Sequence, residues 1–203
     1  MSKQNNNAER DREATEKRLL TTIGQMIKEE GFEKIGINAV ATKSGVSKIL
    51  IYRYFGSIDG LIAAYIRQND FWINFSNEFP ESEQIPAFLK KIFHNMILQL
   101  RTNVTLRKLY RWELTGNNSV IDELRRQREK SGTMIVNSVS EIMKCDSKSI
   151  AAIATIITSS ITYLVMLGET CPIYNGIKID SNDGWKQLSD GIDEIIDNAL
   201  EQQ

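Results

Sequence analysis

Two basic side chains and a tyrosine interrupt an apolar run in the segment SGVSKILIYRYFGSIDGL, which covers residues 44–61. Lys48, Tyr52 and Arg53 lie among isoleucine and leucine residues, and the only acid of the segment comes near its end. Across residues 34–58 the chain has four bases and no acid. Ammonium and guanidinium groups without competing carboxylates bind phosphate oxygens well. The chemistry that this pattern offers is therefore the binding of a polyanion.

The positive charge of the chain is concentrated in its N-terminal third. Residues 1–68 contain 11 Lys or Arg and 8 Asp or Glu, a balance of +3, whereas residues 69–203 contain 14 and 18, a balance of −4. A basic patch at one end of an acidic chain favours a polyanionic partner. Chance clustering of charges on a solvated surface gives the same pattern and is the alternative interpretation.

The basic segment falls within a predicted pair of short helices, residues 37–43 and 47–55, which a glycine turn separates. Ser47 caps the second helix, and Val46, Ile51 and Phe55 are spaced to face a small core. This is the helix-turn-helix plan, which places its second helix in a DNA groove. A compact three-helix corner that binds no DNA is the alternative. The predicted DNA-binding residues are Lys43, Ser47, Lys48, Ile49, Leu50, Tyr52 and Arg53.

No other constellation of side chains indicates a catalytic site or a metal site. His94 is the only histidine, and Cys145 and Cys171 are too few for a metal site or a disulfide framework. We find no Ser–His–acid arrangement and no phosphate-binding glycine loop in the sequence. We therefore expect no catalytic residues, no metal and no cofactor, and a small helical enzyme is the least favoured class of function.

The chain has 203 residues, of which 41% are apolar and 25% charged, as is typical of a globular protein. Its N-terminus lacks the apolar core of a secretory signal, and we expect a cytoplasmic protein with reduced cysteines. Residues 149–168 form a run of twenty uncharged residues, which is long enough to span a bilayer. Six of the twenty are Ser or Thr and no second span follows. These features favour a helix buried in protein over a membrane helix, so no membrane partner is expected.

The elements that must position the basic segment are all predicted to be helical. Only three prolines occur, and no run shows the sustained two-residue alternation of a strand. A disordered tail is predicted over residues 1–12 and a loop over residues 170–183. The predicted helices cover residues 13–30, 37–43, 47–55, 58–79, 85–100, 104–114, 119–143, 147–168 and 185–201.

Residues 14–66 resemble the N-terminal DNA-binding domain of the tetracycline-repressor (TetR) family of bacterial transcription regulators. The first predicted helix ends in Gly31-Phe32, and the sequence INAVATKSGVSKILIYRYFGSIDGLIAAYI follows it. Within this stretch the closest likeness is in Gly45-Val46-Ser47 and in the run IYRYF, residues 51–55. The resemblance covers about a quarter of the chain and is specific in the order and spacing of its residues.

The resemblance implies an all-α fold with two parts. Residues 13–66 would form a three-helix, helix-turn-helix DNA-binding domain, and residues 67–203 would form a helical effector-binding and dimerisation domain. The chain departs from the family pattern at Asn38, at the pair Ile49-Leu50 and at Ile58, where the family often has arginine, a small pair and lysine. These departures reduce the positive charge of the DNA-binding face and bear on affinity more than on fold.

The resemblance also implies a homodimer that binds a palindromic operator as a repressor and is released by a small effector. The last two helices would form the dimer interface, and small side chains along the helix of residues 147–168 agree with close helix approach. Burial inside a monomer is the alternative. The predicted dimerisation residues are Ala151, Thr155, Thr158, Thr162, Leu188, Ile192 and Ile195.

Aromatic and methionine side chains of the middle helices suit an apolar or aromatic effector, although such residues are more often ordinary core. A protein of the same fold with weakened DNA binding, acting through protein contacts, is the alternative function. The predicted effector-binding residues are Trp72, Phe93, Met96, Tyr110, Trp112, Met134 and Tyr163.

Ile49 and Leu50 place two aliphatic groups near the predicted DNA-binding face. Neither can hydrogen-bond a base edge, but an aliphatic side chain can contact the C5-methyl group of thymine in the major groove. We therefore expect thymines at fixed positions in each half-site. The alternative is that Leu50 packs inward.

Overall fold

The structure is a computed structural model that describes residues 2–70, 72–75 and 78–201, with side chains from residue 9 onward. The described chain is predominantly helical. The helices are α1 (Ser2–Glu30), α2 (Ile37–Ser44), α3 (Lys48–Phe55), α4 (Ile58–Asn69), α5 (Ile85–Thr102), α6 (Val104–Thr115), α7 (Ser119–Met143), α8 (Ser147–Leu167) and α9 (Asn182–Glu201).

The chain forms two compact units that each contain two segments of sequence. The first unit comprises residues 1–74 and 104–127, and the second comprises residues 75–103 and 128–203. Helix α7 runs through both units. The division differs from the boundary predicted at residue 66, because α6 packs on α1 after α5.

The core of the first unit is built on one face of α1. Leu19, Ile23 and Ile27 recur every four residues and have no exposed surface, as expected for one stripe of an amphipathic helix. Helix α1 packs against α2, α4 and α6. Burial of this stripe holds the short helices in place, since helices of eight residues are marginal on their own in water.

Helix α6 is tied to the C-terminal end of α1 by two contacts. The ring of Trp112 stacks on that of Phe32, with centroids 4.6 Å apart and planes inclined by 9°. The Lys108 ammonium donates to the Lys28 carbonyl oxygen at 2.9 Å. A cation at this end is favoured by the partial negative charge of the terminal carbonyls.

In the second unit α5 packs against α8 and α9. Two polar contacts join α5 to α9: Lys90 pairs with Asp197 at 2.7 Å, and His94 Nε2 lies 2.9 Å from Asp193 Oδ1. The hydrogen bond to Asp197 raises the pKa of Lys90. The single histidine is therefore an exposed side chain at the rim of a helix pair.

A small β-hairpin lies in the stretch that the sequence predicts to be a loop. Strands β1 (Ile173–Tyr174) and β2 (Ile177–Lys178) pair antiparallel across the dipeptide Asn175-Gly176. Both turn residues have positive φ, 49° and 82°, which is the conformation that two-residue hairpin turns require and that Asn-Gly favours. The sequence prediction was wrong here because each strand has only two residues, too few to show alternation.

Two helix boundaries also differ from the sequence prediction. Helix α1 begins at Ser2, whereas a disordered tail was predicted to residue 12. An Arg12–Glu16 pair at 2.7 Å spans the predicted boundary. Helix α4 ends at Asn69 instead of residue 79. There the Asp70 carboxylate accepts from the backbone N–H groups of Trp72 and Ile73, and this local turn competes with continued helix.

Helix α8 is long and apolar enough to cross a membrane by length and composition. In the structure it packs on α5, with Ile150, Ile157, Ile161 and Val165 buried. Asp146 caps its N-terminus by accepting from the Ser149 N–H at 3.0 Å. A core helix of a protein passes the same length and composition test, so the test by itself does not assign α8 to a membrane.

Candidate nucleic-acid interface

A tight turn joins α2 to α3 and sets the angle between them. Gly45 ends α2 with φ 65° and ψ 18°, a left-handed conformation that glycine adopts without a steric cost. The Val46 N–H donates to Ser44 Oγ at 3.2 Å, and the Val46 side chain is buried below the turn. The Ser47 hydroxyl then caps α3 by accepting from the Leu50 N–H at 3.4 Å. The predicted helix-turn-helix is therefore present in detail.

Helix α3 has a buried side and an exposed side. Ile51 has no exposed surface, while Tyr54 and Phe55 are half-buried on the inner side. Helix α3 packs against α2 and α4 through this side. The predicted DNA-binding residues that are exposed on or next to α3 are Ser47, Lys48, Ile49, Tyr52 and Arg53.

Ile49 and Leu50 differ in solvent exposure. Ile49 is 77% exposed, whereas Leu50 is half-buried. Successive residues of a helix are rotated by about 100°, so the neighbours cannot share one orientation. Ile49 is accessible on the outer side of α3, where its DNA-binding role stays a prediction, and the half-buried Leu50 agrees with the inward alternative.

The basic residues of the predicted interface differ in their surroundings. The Lys43 ammonium forms an ion pair with the Glu29 carboxylate of α1. Within the residues that the structure describes, Lys48 and Arg53 form no such pair. The four-base run that looks free of acids in sequence therefore has an acid beside it in space, and Lys48 and Arg53 are its available cations on α3.

Helix α1 contacts α3 near the C-terminal end of α3. The Arg12 guanidinium lies over the Tyr54 ring, 5.3 Å from its centroid, at a distance suited to a cation–π contact. The Ser57 hydroxyl accepts from the Gly60 N–H at 2.9 Å and so begins α4 directly after α3. Both contacts lie at the C-terminal end of α3, where Arg12 covers Tyr54 and Ser57 begins the next helix.

The predicted effector-binding residues are distributed over both units. Trp72, Tyr110 and Trp112 belong to the first unit, and Phe93, Met96, Met134 and Tyr163 belong to the second. Phe93, Met96 and Tyr110 are buried, and Trp112 is engaged in the stack on Phe32. Tyr163 is an exposed residue of α8 whose ring meets the ring of Tyr174 edge to face, with centroids 6.1 Å apart.

A cleft of about 500 Å³ lies between α1 and α4 in the first unit. None of the predicted effector-binding residues lines it. Burial raises the pKa of Tyr65, which stands on its α4 wall. The cleft is lined by Glu13, Glu16, Lys17, Leu20, Thr21, Tyr65, Gln68 and Asn69.

The predicted dimerisation residues lie on α8 and α9 with mixed exposure. Thr155 is exposed, Ala151, Thr158 and Thr162 are half-buried, and the Thr162 hydroxyl oxygen is buried without a hydrogen-bond partner in the described residues. On α9, Leu188 and Ile192 are half-buried and Ile195 is exposed.

The sequence analysis did not select the most exposed line of α8. Ile156 is 64% and Tyr163 is 53% exposed, and Ala152 and Ser159 are exposed between and beside them. We call these four residues the α8 outer stripe. It is rotated by one residue, about 100°, from the predicted line of small residues. The buried residues Ile157 and Ile161 lie on the opposite side of the helix.

No group of three or more His, Cys, Asp or Glu side chains that could hold a metal ion occurs within the described part of the chain.

Comparison with known proteins identifies the helix-turn-helix. The sequence profile of the bacterial regulatory proteins of the tetR family matches residues 19–65, which include α2, the Gly45 turn, α3 and most of α4. Over this segment the chain is similar to the TetR family of transcriptional regulators.

A solved structure extends the similarity in fold beyond the matched segment. A protein described as a TetR-family transcriptional regulator from Vibrio parahaemolyticus superposes with a TM-score of 0.57 at 14% sequence identity. The match covers 89% of this chain and 97% of that one. No curated protein matches the chain in sequence. The predicted all-α fold with an N-terminal helix-turn-helix domain and a helical C-terminal region is confirmed.

Proposed function

We propose that this TetR-family regulator is a cytoplasmic homodimeric repressor that binds a palindromic DNA operator through α3 and is released by a small effector. The observation that carries the proposal is the outer side of α3. Lys48, Ile49, Tyr52 and Arg53 are exposed there above the buried Ile51. Lys48 and Arg53 have no ion-pair partner among the described residues, so these two cations on a capped helix fit phosphate binding. The apolar side of α3 packs on the domain, and the polar side can enter the groove.

A homodimer would account for the palindromic sequence of the operator. Two copies related by a two-fold axis present two recognition helices, which bind half-sites of inverted sequence. The α8 outer stripe supports the dimer, because exposed isoleucine and tyrosine on a long apolar helix gain stability when a second copy covers them. Ile195 on α9 is another exposed apolar residue in the same unit.

The effector part of the proposal rests on the family and on the middle helices. Phe93 and Met96 of α5 are buried apolar side chains of the kind that line effector cavities. An effector would release DNA only through a difference in its affinity for the DNA-binding and the DNA-free conformations.

Selection of DNA from a random pool by the full-length protein is the experiment that tests the proposal. We expect an enriched inverted repeat whose binding weakens steeply with salt. Placing that repeat before a reporter gene should make expression fall when the protein is supplied. Recovery of no sequence, together with salt-independent binding, would favour the alternative of a regulator that acts through protein contacts.

Lys48→Ala provides the matched test of the interface. If Lys48 neutralises a phosphate, the variant should bind all sequences more weakly and reduce the salt slope by about one unit. Arg126→Ala is the control, since Arg126 is an exposed cation of α7 that pairs with Glu123 at 2.8 Å. An equal effect of both variants on DNA binding would show that net charge, and not the α3 surface, governs affinity.

A further inference from the structure

Ile49 is the most exposed large apolar side chain among the described residues, at 77%. Ile51, two residues on and on the opposite side of the helix, is fully buried. An aliphatic side chain left in water gives up the stabilisation that burial would supply. The side chain of Ile49 is therefore accessible to a partner of the domain.

The helical spacing places Ile49 in the middle of the outer face of α3. Tyr52 and Arg53 follow it by three and four residues, so both lie beside it on the same face. Lys48 lies next to Tyr52 on the side toward the N-terminus of the helix. Ile49 is thus surrounded by the side chains that are proposed to contact phosphates and base edges.

We propose that Ile49 reads thymine in the operator by packing its aliphatic side chain against the C5-methyl group in the major groove. The inference rests on the proposed DNA-binding function and adds the base that this position selects. Isoleucine has no hydrogen-bond donor or acceptor in its side chain. Of the four bases, only thymine presents an apolar group at its major-groove edge.

Leu50 does not share this role. Its side chain is half-buried and its N–H is engaged by the Ser47 cap. One helical step rotates it by about 100° from Ile49, toward α3's packed side. The two aliphatic residues therefore differ in role: Leu50 packs within the domain, and Ile49 contacts the thymine methyl group.

The test uses the selected operator with each thymine of a half-site replaced singly by deoxyuridine, which removes the methyl group and keeps the base pairing. Replacement at the thymine that Ile49 contacts should weaken binding by about fivefold, the scale of one buried methyl group. Replacement of thymines outside the half-site is the control and should change nothing.

A variant cycle assigns the effect to one residue. With Ile49→Ala the uracil penalty should disappear, and with Ile49→Val it should remain, because valine keeps a branched methyl group. Leu50→Ala is the matched control and should retain the full penalty. Thermal unfolding identifies variants with a damaged domain, and the exposed position of Ile49 makes its variants suitable even if Leu50→Ala does not fold.

Three outcomes would overturn the inference. Uracil-substituted operators that bind as tightly as the parent would exclude methyl recognition. A penalty that persists in Ile49→Ala would assign the contact to another residue, and loss of the penalty in Leu50→Ala alone would assign it to Leu50. If the protein selects no DNA at all, the proposed function fails as well, whereas tight binding without methyl dependence refutes only the role of Ile49.

Discussion

The ion pair between Lys43 and Glu29 changes what the basic segment can do. In sequence these residues are separated by fourteen positions, and only the packing of α2 on α1 brings them together. The Glu29 side chain is exposed. An ion pair in contact with solvent has a small net effect on stability. Its larger consequence is electrostatic, because the Glu29 carboxylate offsets one of the cations beside the proposed DNA-binding surface.

Glu29→Gln should release Lys43 for a phosphate contact. We expect tighter binding to all DNA sequences and a salt slope that is larger by up to about one unit, since one more counterion is displaced. The measurement is the operator dissociation constant over a series of salt concentrations.

Glu30→Gln is the control for Glu29→Gln, because Glu30 is an exposed acid next to Glu29 in the same helix. The prediction would be wrong if both variants tightened binding to the same extent. That result would mean that the overall charge of the domain matters and the specific pairing of Lys43 does not.

At the level of elements, the structure is determined largely by what happens at helix ends. Ser47, Ser57 and Asp146 each accept a hydrogen bond from a backbone N–H three residues later and so begin α3, α4 and α8. Such caps satisfy N–H groups that have no partner within the helix. Asp70 makes the same kind of contact with Trp72 and Ile73 beyond the end of α4, and there it favours a turn.

The cap of α8 should make stability depend on pH. Hydrogen bonds from the backbone and hydroxyl of Ser149 lower the pKa of Asp146. A lowered pKa in the folded state means that the stabilisation is complete above the ordinary carboxyl pKa, about 4. It is lost as the pH falls through the lowered value. We expect Asp146→Ala to lower the urea midpoint at pH 7 and to have a smaller effect at about pH 3.

Asp146→Asn separates the cap from its charge. Asparagine is a good N-cap residue but does not titrate, so this variant should keep most of the stability at pH 7 and lose less of it in acid. An Asp146→Ala variant with the same deficit at both pH values would contradict a titrating cap. Asp180→Asn, at an exposed loop position, controls for the loss of one surface charge.

For the whole molecule, the most informative feature is the apolar surface that the single chain leaves exposed on α8. The buried face of α8 packs on α5 within the second unit, and the outer stripe of Ala152, Ile156, Ser159 and Tyr163 faces solvent. A helix that is apolar on two sides needs two neighbours. In a homodimer the second neighbour of α8 would come from the other copy.

Ile156→Arg should convert the proposed dimer into monomers, because it places a charge at the centre of the proposed interface without a partner. Light scattering coupled to size-exclusion chromatography measures the mass, and circular dichroism checks that the chain remains helical. Leu114→Arg is the matched control, since Leu114 is 70% exposed on α6 in the other unit. A normal dimer for Ile156→Arg would exclude the α8 outer stripe as the interface.

The sequence by itself determined the helical class, the approximate bounds of most helices and the helix-turn-helix. These follow from local physics. The spacing of Leu19, Ile23 and Ile27, the glycine at position 45 and the cap at Ser47 each act within a few residues. The bounds of α7 agree with the prediction, Ser119–Met143, because an apolar stripe persists over its length.

Tertiary structure decided which side of each helix faces another element. Periodicity places residues on a helix but does not say which of two apolar lines is buried, so the small-residue line of α8 and the outer stripe could not be ranked in advance. The same limit applied to Ile49 and Leu50. The Lys43–Glu29 pair, the Trp112–Phe32 stack and the return of α6 to α1 join residues far apart in sequence. Only the packed chain brings such groups within contact distance.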